Sequence, residues 1–195
     1  MKNALNKNEL QIISFKSQKA FSVWLAANHQ SEKGFWLKFF KKGSEIISIT
    51  YSEALDEALC YGWIDGQLKK YDEHSWLHKF TPRRPKSIWS KKNIEHVERL
   101  VKAKKMKPSG LKQIEAAKTD GRWQRAYDSP SKMELPADFL KRLSGNKKAF
   151  SFYGTLNKAN RYAISWRLQT AIKAETKEKR MKAILEMLEN GKKFH

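Results

Sequence analysis

"WIDGQLKKYDEHSWLHKF", residues 63–80, decides the fold class. Its two arms, WIDGQLKKY and SWLHKF, alternate in character and flank the polar triplet DEH, the pattern of a β-hairpin. Counting in steps of two places Ile64 and Leu68 on one face and Trp63, Asp65, Gln67 and Lys69 on the other. The first face seeks a core, and the second is positioned to line a cleft.

Working towards the N-terminus, TYSEALDEALCYG (50–62) reads as a helix, with Ser52 ahead of an acidic first turn, Leu55 and Leu59 on one side, and Gly62 as the stop. GFWLKFFKK (34–42) is aromatic, short and bounded by Gly34 and Gly43, which predicts a strand. SQKAFSVWLAANH (17–29) spaces Ala20, Phe21, Trp24 and Leu25 as a helix face behind Ser17 as N-cap, and LQIISF (10–15) is a short apolar run with a β-branched centre.

Towards the C-terminus the pattern becomes helical. Residues 90–106 place Ile94, Val97, Leu100 and Val101 behind Ser90 as a cap, and residues 108–123 place Leu111, Ile114 and Ala117 ahead of Gly121. DSPSKMELPA (128–137) is turn-rich and marks a linker. LPADFLKRL, NKKAFSFYGTL, NKANRYAISWRLQTA and ETKEKRMKAILEMLENG then predict four helices, the last burying Met181, Ile184, Leu185 and Leu188. In NKANRYAISWRLQTA, Tyr162 with Trp166 and Ile164 with Leu168 suit two adjoining buried stripes, while Arg161 and Arg167 point apart. Strands before residue 82 and helices after it make an α+β protein: an N-terminal antiparallel sheet with helices, followed by an all-helical C-terminal portion packed on it. The expected segments are 1–82 (sheet), 83–130 (basic connector and helices) and 131–195 (helical), within what a single compact body accommodates.

Composition supports a folded chain with a strong field. With 195 residues, 40% hydrophobic content, Trp 7 and Phe 10, a sizeable core forms without staples. Lys+Arg 40 against Asp+Glu 20 leaves a formal charge of +20, which attracts phosphates, acidic proteins or anionic lipid. Cys60 is the only cysteine, so no intramolecular disulfide forms, and a reducing compartment is expected. The opening MKNALNKNELQIISF contains no apolar leader core, and no apolar run near membrane-spanning length follows, so the chain reads as cytoplasmic without a transmembrane segment.

The densest positive stretch is KFTPRRPKSIWSKKN (79–93), with Lys79, Arg83, Arg84, Lys86, Lys91 and Lys92 and no acidic residue. Pro82 and Pro85 hold their preceding residues extended, which would preset two arginines for an oxyanion. Ser90 opens a helix whose first turn holds Lys91 and Lys92, an unfavourable arrangement with the helix dipole unless an anion arrives. Arg83, Arg84, Lys86, Lys91 and Lys92 are therefore the candidate anion-binding residues, and Trp63, Asp65 and Trp89 the candidates for lining an adjoining cleft. Six phosphate contacts would give a salt slope of about −5. Phe80 and Trp89 either stack on bases or pack beneath the connector.

Asp65, between Gly62 and Gly66, is the catalytic candidate, as a general base if burial raised its pKa; the plainer role is to pair with an arginine and hold a turn. His74 and His78, four apart on a strand, lie about 13 Å from each other and cannot share a metal ion. Cys60 shows no base beside it. With no phosphate-binding loop, dinucleotide fingerprint, HExxH or paired CxxC, no metal or other cofactor is expected.

SEALDEALCYGWIDGQ, KFTPRRPKSIWSKKN, GLKQIEAAKTDGRWQRAYDSP and NRYAISWRLQTAIKAETKEKR together resemble the YdeI/OmpD-associated (bacteriocin-protection) family over roughly residues 15 to 190. The resemblance implies no established reaction and no catalytic residues; the family name implies a link to envelope stress or to bacteriocin and cationic-peptide tolerance. EALCYGWIDG is also similar to an element of small frataxin-like, iron-chaperone-related proteins, a likeness that confers no iron site. The expected function is thus a non-enzymatic protein of stress or bacteriocin tolerance that binds an anionic ligand or nucleic acid through the connector. The alternative is a small-molecule enzyme or sensor using Asp65, with Arg83 and Arg84 gripping a substrate anion.

Overall fold

The computed structural model describes residues 10–195, so the first nine residues of the opening read above for a leader lie outside it. The chain divides into two compact units, one formed by residues through Trp89 with Asn93–Arg125, the other by Ser90–Lys92 with Ala126–His195.

The first unit contains β1 (Ile12–Ile13), α1 (Gln18–Asn28), β2 (Phe35–Phe40), α2 (Tyr51–Cys60), β3 (Trp63–Lys70) and β4 (Ser75–Pro82), most of α3 (Lys91–Lys102), and α4 (Pro108–Thr119). The sheet order is β1-β2-β4-β3, antiparallel except for β1, which runs parallel to β2. The exception follows from connectivity, because α1 forms a crossover between β1 and β2 and brings the chain back in the same direction. The predicted hairpin is β3–β4.

Cross-strand register explains the core. Phe35 faces Phe80, Leu37 faces His78 and Phe39 faces Trp76, which puts these side chains on one sheet face. The helix α1 covers that face with Phe21, whose ring centre lies 5.9 Å from Phe35 and 6.1 Å from Phe80, and with Trp24, 4.7 Å from Phe35. Each such aromatic, once buried, stabilises the unit by roughly 1.5–3 kcal/mol relative to exposure. On the opposite face Lys38 lies over Phe40 and Tyr71, and Lys69 over Trp36, so lysine stems shield the rings while the ammonium groups stay near water.

Two local expectations are corrected. A β-bulge between Asp65 and Leu68 breaks the alternation of β3: Asp65 pairs with Phe80 but Leu68 with His78, so Ile64 and Leu68 fall on opposite faces. Leu68 is 64% exposed, whereas Trp63 is buried in the core. The N-cap of α2 is Thr50 instead of Ser52, because Thr50 and Glu53 form a reciprocal capping box. At the far end of α2 the chain turns at Gly62, with φ +77°. The start of α4 then packs on it so closely that a Cβ at Gly110 would collide with the Cys60 carbonyl, and the Lys107 amide donates to that same oxygen at 3.0 Å.

The second unit holds the four C-terminal helices: α5 (Ala137–Gly145), α6 (Lys147–Thr155), α7 (Lys158–Gln169) and α8 (Ala174–Glu189). Asn146 and Asn157 cap α6 and α7 by accepting from the amides of Ala149 and Asn160. Phe139 and Leu143 of α5, Ile164 and Leu168 of α7, and Ile184 and Leu188 of α8 form its core. The predicted stripes of α7 and α8 are therefore buried, with Tyr162, Trp166 and Leu185 only partly so. Ion pairs Arg142–Glu178 and Lys177–Asp138 tie α5 to α8 at the surface, where solvent screening leaves each a weak contribution.

Candidate functional site

Two arginines hold the basic stretch, Arg83, expected above to face a ligand, and Arg122. Arg83 is 5% exposed; its guanidinium carbon lies 3.5 Å from the centre of the Trp89 ring, and Nη1 donates to the Ile88 carbonyl at 3.3 Å. Its amide donates to the Gly62 carbonyl at 3.0 Å. From the other side Arg122, also buried, pairs with Asp120 at 2.7 Å and donates to the Ser87 carbonyl at 2.8 Å. Trp89 is packed against Trp123 with ring centres 5.1 Å apart. The connector backbone at 87–88 is thus clamped by two guanidinium groups over a tilted pair of tryptophans. Such groups brace a turn and do not present themselves to a partner in solution.

Arg83 and Arg84 consequently part: Arg84 is exposed, as is Lys86, which sits at φ +64°. Lys91 and Lys92 belong to the second unit, where Lys91 Nζ pairs with Asp128 at 2.6 Å and Lys92 is exposed. Lys91 together with Gln169 holds the Asp128 carboxyl below the usual range. Phe80 is buried in the sheet core. Among the five candidates, the exposed cations with no carboxylate of the described residues within 4.0 Å are Arg84, Lys86 and Lys92; Lys91 is exposed but paired.

Trp63 and Trp89, expected to line a cleft, are almost wholly buried, and Trp63 Nε1 donates to the His29 carbonyl at 3.1 Å. Asp65 has partners other than arginine. Its Oδ2 accepts from the Tyr51 hydroxyl at 2.8 Å and lies 3.5 Å from His78 Nε2, while the Tyr51 and His78 rings stack with centres 5.0 Å apart. Burial lowers the His78 pKa from its ordinary value of 6.5, and the adjacent Asp65 carboxylate only partly opposes that shift. The imidazole is therefore neutral at pH 7. His78 was weighed in the sequence only against His74 and a metal; its place beside Asp65 arises from the bulge and the β3–β4 register.

A second missed cluster joins α2 to α3, with Asp56 2.6 Å from both His96 Nδ1 and the Arg99 guanidinium. Cys60 is inert, its thiol pushed up to about 12 by burial first and then by Glu57 and Asp56. Among the described residues, no group of three or more His, Cys, Asp or Glu is arranged to hold a metal ion, and no helix is long and apolar enough to cross a membrane.

A concavity of the second unit was not anticipated. It has a volume of about 1020 Å³ and opens between the 130–135 segment, Leu140 of α5, Tyr153 of α6, and Lys158, Arg161, Tyr162 and Ser165 of α7. The α7 residues stand at i, i+3, i+4 and i+7, one polar stripe on one helix face. That spacing was the available signal.

Comparison with known families divides the chain as its structure does. Residues 13–113 match a domain of unknown function, DUF8412. The chain belongs to that family. Residues 132–191 match a second, described as Bacteriocin-protection, YdeI or OmpD-Associated. The resemblance drawn from sequence motifs is therefore carried by the C-terminal helices, while the hairpin and the basic stretch fall within the DUF8412 match. No curated protein and no solved structure matches the chain.

Proposed function

We propose that the protein is a non-enzymatic binder of an anionic partner, drawn in by its surplus positive charge, with Arg84 and Lys86 as contacts in the first unit. Lys92 adds an exposed cation in the second. What carries this reading is stoichiometry: were all 20 carboxylates paired one to one, 20 of the 40 Lys and Arg side chains would still lack a partner. A field of that size speeds encounter with polyanions at low salt. The family description of residues 132–191 supports a setting of stress or bacteriocin tolerance, and the lone buried thiol supports a reducing, cytoplasmic compartment.

Contacts by Arg84, Lys86 and Lys92 alone would give a salt slope of about −3 instead of about −5 for all six cations of the stretch. Anisotropy of a labelled DNA duplex, titrated at 50 to 200 mM salt, tests the proposal. Binding is expected at low salt, equal across sequences, and the double substitution Arg84→Ala with Lys86→Ala should flatten the slope by about 2. Absence of binding at 50 mM salt to DNA, RNA and polyglutamate alike would end this reading. An unchanged slope in the double variant would move the contact elsewhere.

One observation favours the alternative, a small-molecule enzyme or sensor. The Asp65 carboxylate is held by Tyr51 and lies beside a neutral, buried His78, a set of groups suited to moving a proton. Arg83 is committed to Trp89, so substrate charge would have to be met by Arg84 alone. In that case Asp65→Asn abolishes turnover while binding survives.

A further inference from the structure

The cavity of the second unit contains a polar group that its own fold leaves unused. Ser165 is only 3% exposed and lines the cavity, and among the described residues nothing hydrogen-bonds its hydroxyl. Its oxygen is not among the buried, unpartnered polar atoms of the fold; it stays open to the cavity, where it can donate to water or to a ligand. One helical turn earlier, Tyr162 lines the same space, as does Tyr153 from α6. Burial pushes both phenols up, so each is a neutral hydrogen-bond donor at pH 7.

Positive charge converges on the same place. Arg161 Nη2 donates to the Gly154 carbonyl at 2.6 Å and its guanidinium carbon lies 5.3 Å from the Tyr153 ring centre, which fixes the fork while leaving other N–H groups open. Lys158 occupies the first turn of α7, where the helix dipole adds to its charge. Neither cation has a carboxylate within 4.0 Å among the described residues. Glu134, the acidic residue of the lining, is exposed, so two cations stand against one carboxylate and the lining carries a net single positive charge. The remaining wall is apolar, with Met133, Leu135 and Leu140. A volume of about 1020 Å³ lies at the upper end of the range for small-molecule sites.

We propose that this cavity is a binding site for a small amphipathic carboxylate. Its aromatic or alkyl body lies against Met133, Leu135, Leu140 and the tyrosine rings. Its carboxylate is taken by Arg161 and Lys158, with Tyr162 and Ser165 donating hydrogen bonds. The single net charge selects a monoanion over a phosphate dianion. This site is separate from the polyanion surface, since neither Arg84 nor Lys86 lines it, and either proposal stands if the other fails.

Calorimetric titration of the full chain with 2-naphthoate, the neutral 2-naphthamide and 2-naphthyl phosphate tests the assignment. The naphthoate should bind about tenfold more tightly than the amide, a preference that Arg161→Gln removes and Lys158→Gln reduces. Ser165→Ala should weaken naphthoate a few-fold, and Glu134→Gln should strengthen it. Arg84→Ala should leave all three titrations unchanged. Lys158 is exposed and bears no core contact, so its variant keeps the test open if Arg161→Gln misfolds. The proposal is overturned if no probe gives heat up to its solubility limit, or if the preference survives Arg161→Gln and Lys158→Gln. Tighter binding of naphthyl phosphate, or loss of the preference in Arg84→Ala, would equally refute it, the last by exposing a diffuse charge effect.

Discussion

In the first unit the Arg83 guanidinium lies 3.5 Å from the centre of the Trp89 ring and is buried, whereas in the second Arg161 stands 5.3 Å from Tyr153 and is exposed. Both pairs combine a cation with an aromatic ring and a hydrogen bond to a nearby carbonyl, Ile88 in one case and Gly154 in the other. They differ in what closes over them. Trp123, Arg122 and the 87–88 backbone seal the first, so its charge is spent on holding a turn. Beside the second, Ser165, Tyr153 and Tyr162 line an open cavity, and the Ser165 hydroxyl has no hydrogen-bond partner among the described residues. Cations interleaved with aromatics in a sequence thus describe two physical objects, a brace and a site, and solvent access separates them.

The sharpest way to break this comparison is to remove each guanidinium. Arg83→Ala should destabilise the first unit by about 2–4 kcal/mol, from loss of a desolvated cation–π contact and hydrogen bonds and from the gap left under Trp89. Arg83→Lys should recover only part, since an ammonium cannot stack as a plane. Arg161→Ala should cost less than about 1 kcal/mol because its side chain is exposed. Urea unfolding followed by circular dichroism reads all three. Equal losses for Arg83→Ala and Arg161→Ala would erase the distinction between brace and site.

A smaller effect, dependent on pH, separates sealed polar groups from open ones. Burial lowers the folded-state pKa of His78 below its ordinary 6.5, so the unfolded chain binds the proton more readily than the folded one. The associated stability is complete above pH 6.5 and is lost as pH falls from 6.5 towards the lower folded value, with a slope no steeper than about 1.4 kcal/mol per pH unit for one proton. His78→Gln should abolish that slope. Asp65→Asn should carry the loss to lower pH, because the carboxylate opposes the shift. Stability measured between pH 7 and 5 decides the matter, and a wild-type slope identical to that of His78→Gln would show that His78 is not sealed.

The sequence made the hairpin, the Ser17 cap, the apolar stripes of α7 and α8 and the change from strands to helices legible, because each is written in local spacing. Phase was lost where one extra residue enters β3, since a bulge leaves no mark in an alternating pattern except the glycine beside Asp65. The site was less legible for a related reason. Pro82 and Pro85 do stiffen the connector, but which of Arg83 and Arg84 turns inward depends on Trp89, Trp123 and Arg122, the last two supplied by chain about 35 residues further on. Lys91 likewise meets Asp128 only through tertiary folding.

The smallest expected change tests the open side of the comparison most closely. Ser165 and Thr170 both lie at or near the end of α7, yet the Thr170 hydroxyl donates to the Trp166 carbonyl at 2.7 Å, whereas that of Ser165 meets nothing among the described residues. Deleting a bonded hydroxyl costs about 1 kcal/mol, while deleting one that meets only cavity water gives up little. Ser165→Ala should therefore leave stability within about 0.5 kcal/mol of wild type, while Thr170→Val costs about 1 kcal/mol. A loss of 1 kcal/mol or more in Ser165→Ala, measured by urea unfolding without added ligand, would mean that the hydroxyl already has a partner within the fold. The cavity would then lack the unmet donor that distinguishes it from the braced arginine of the first unit.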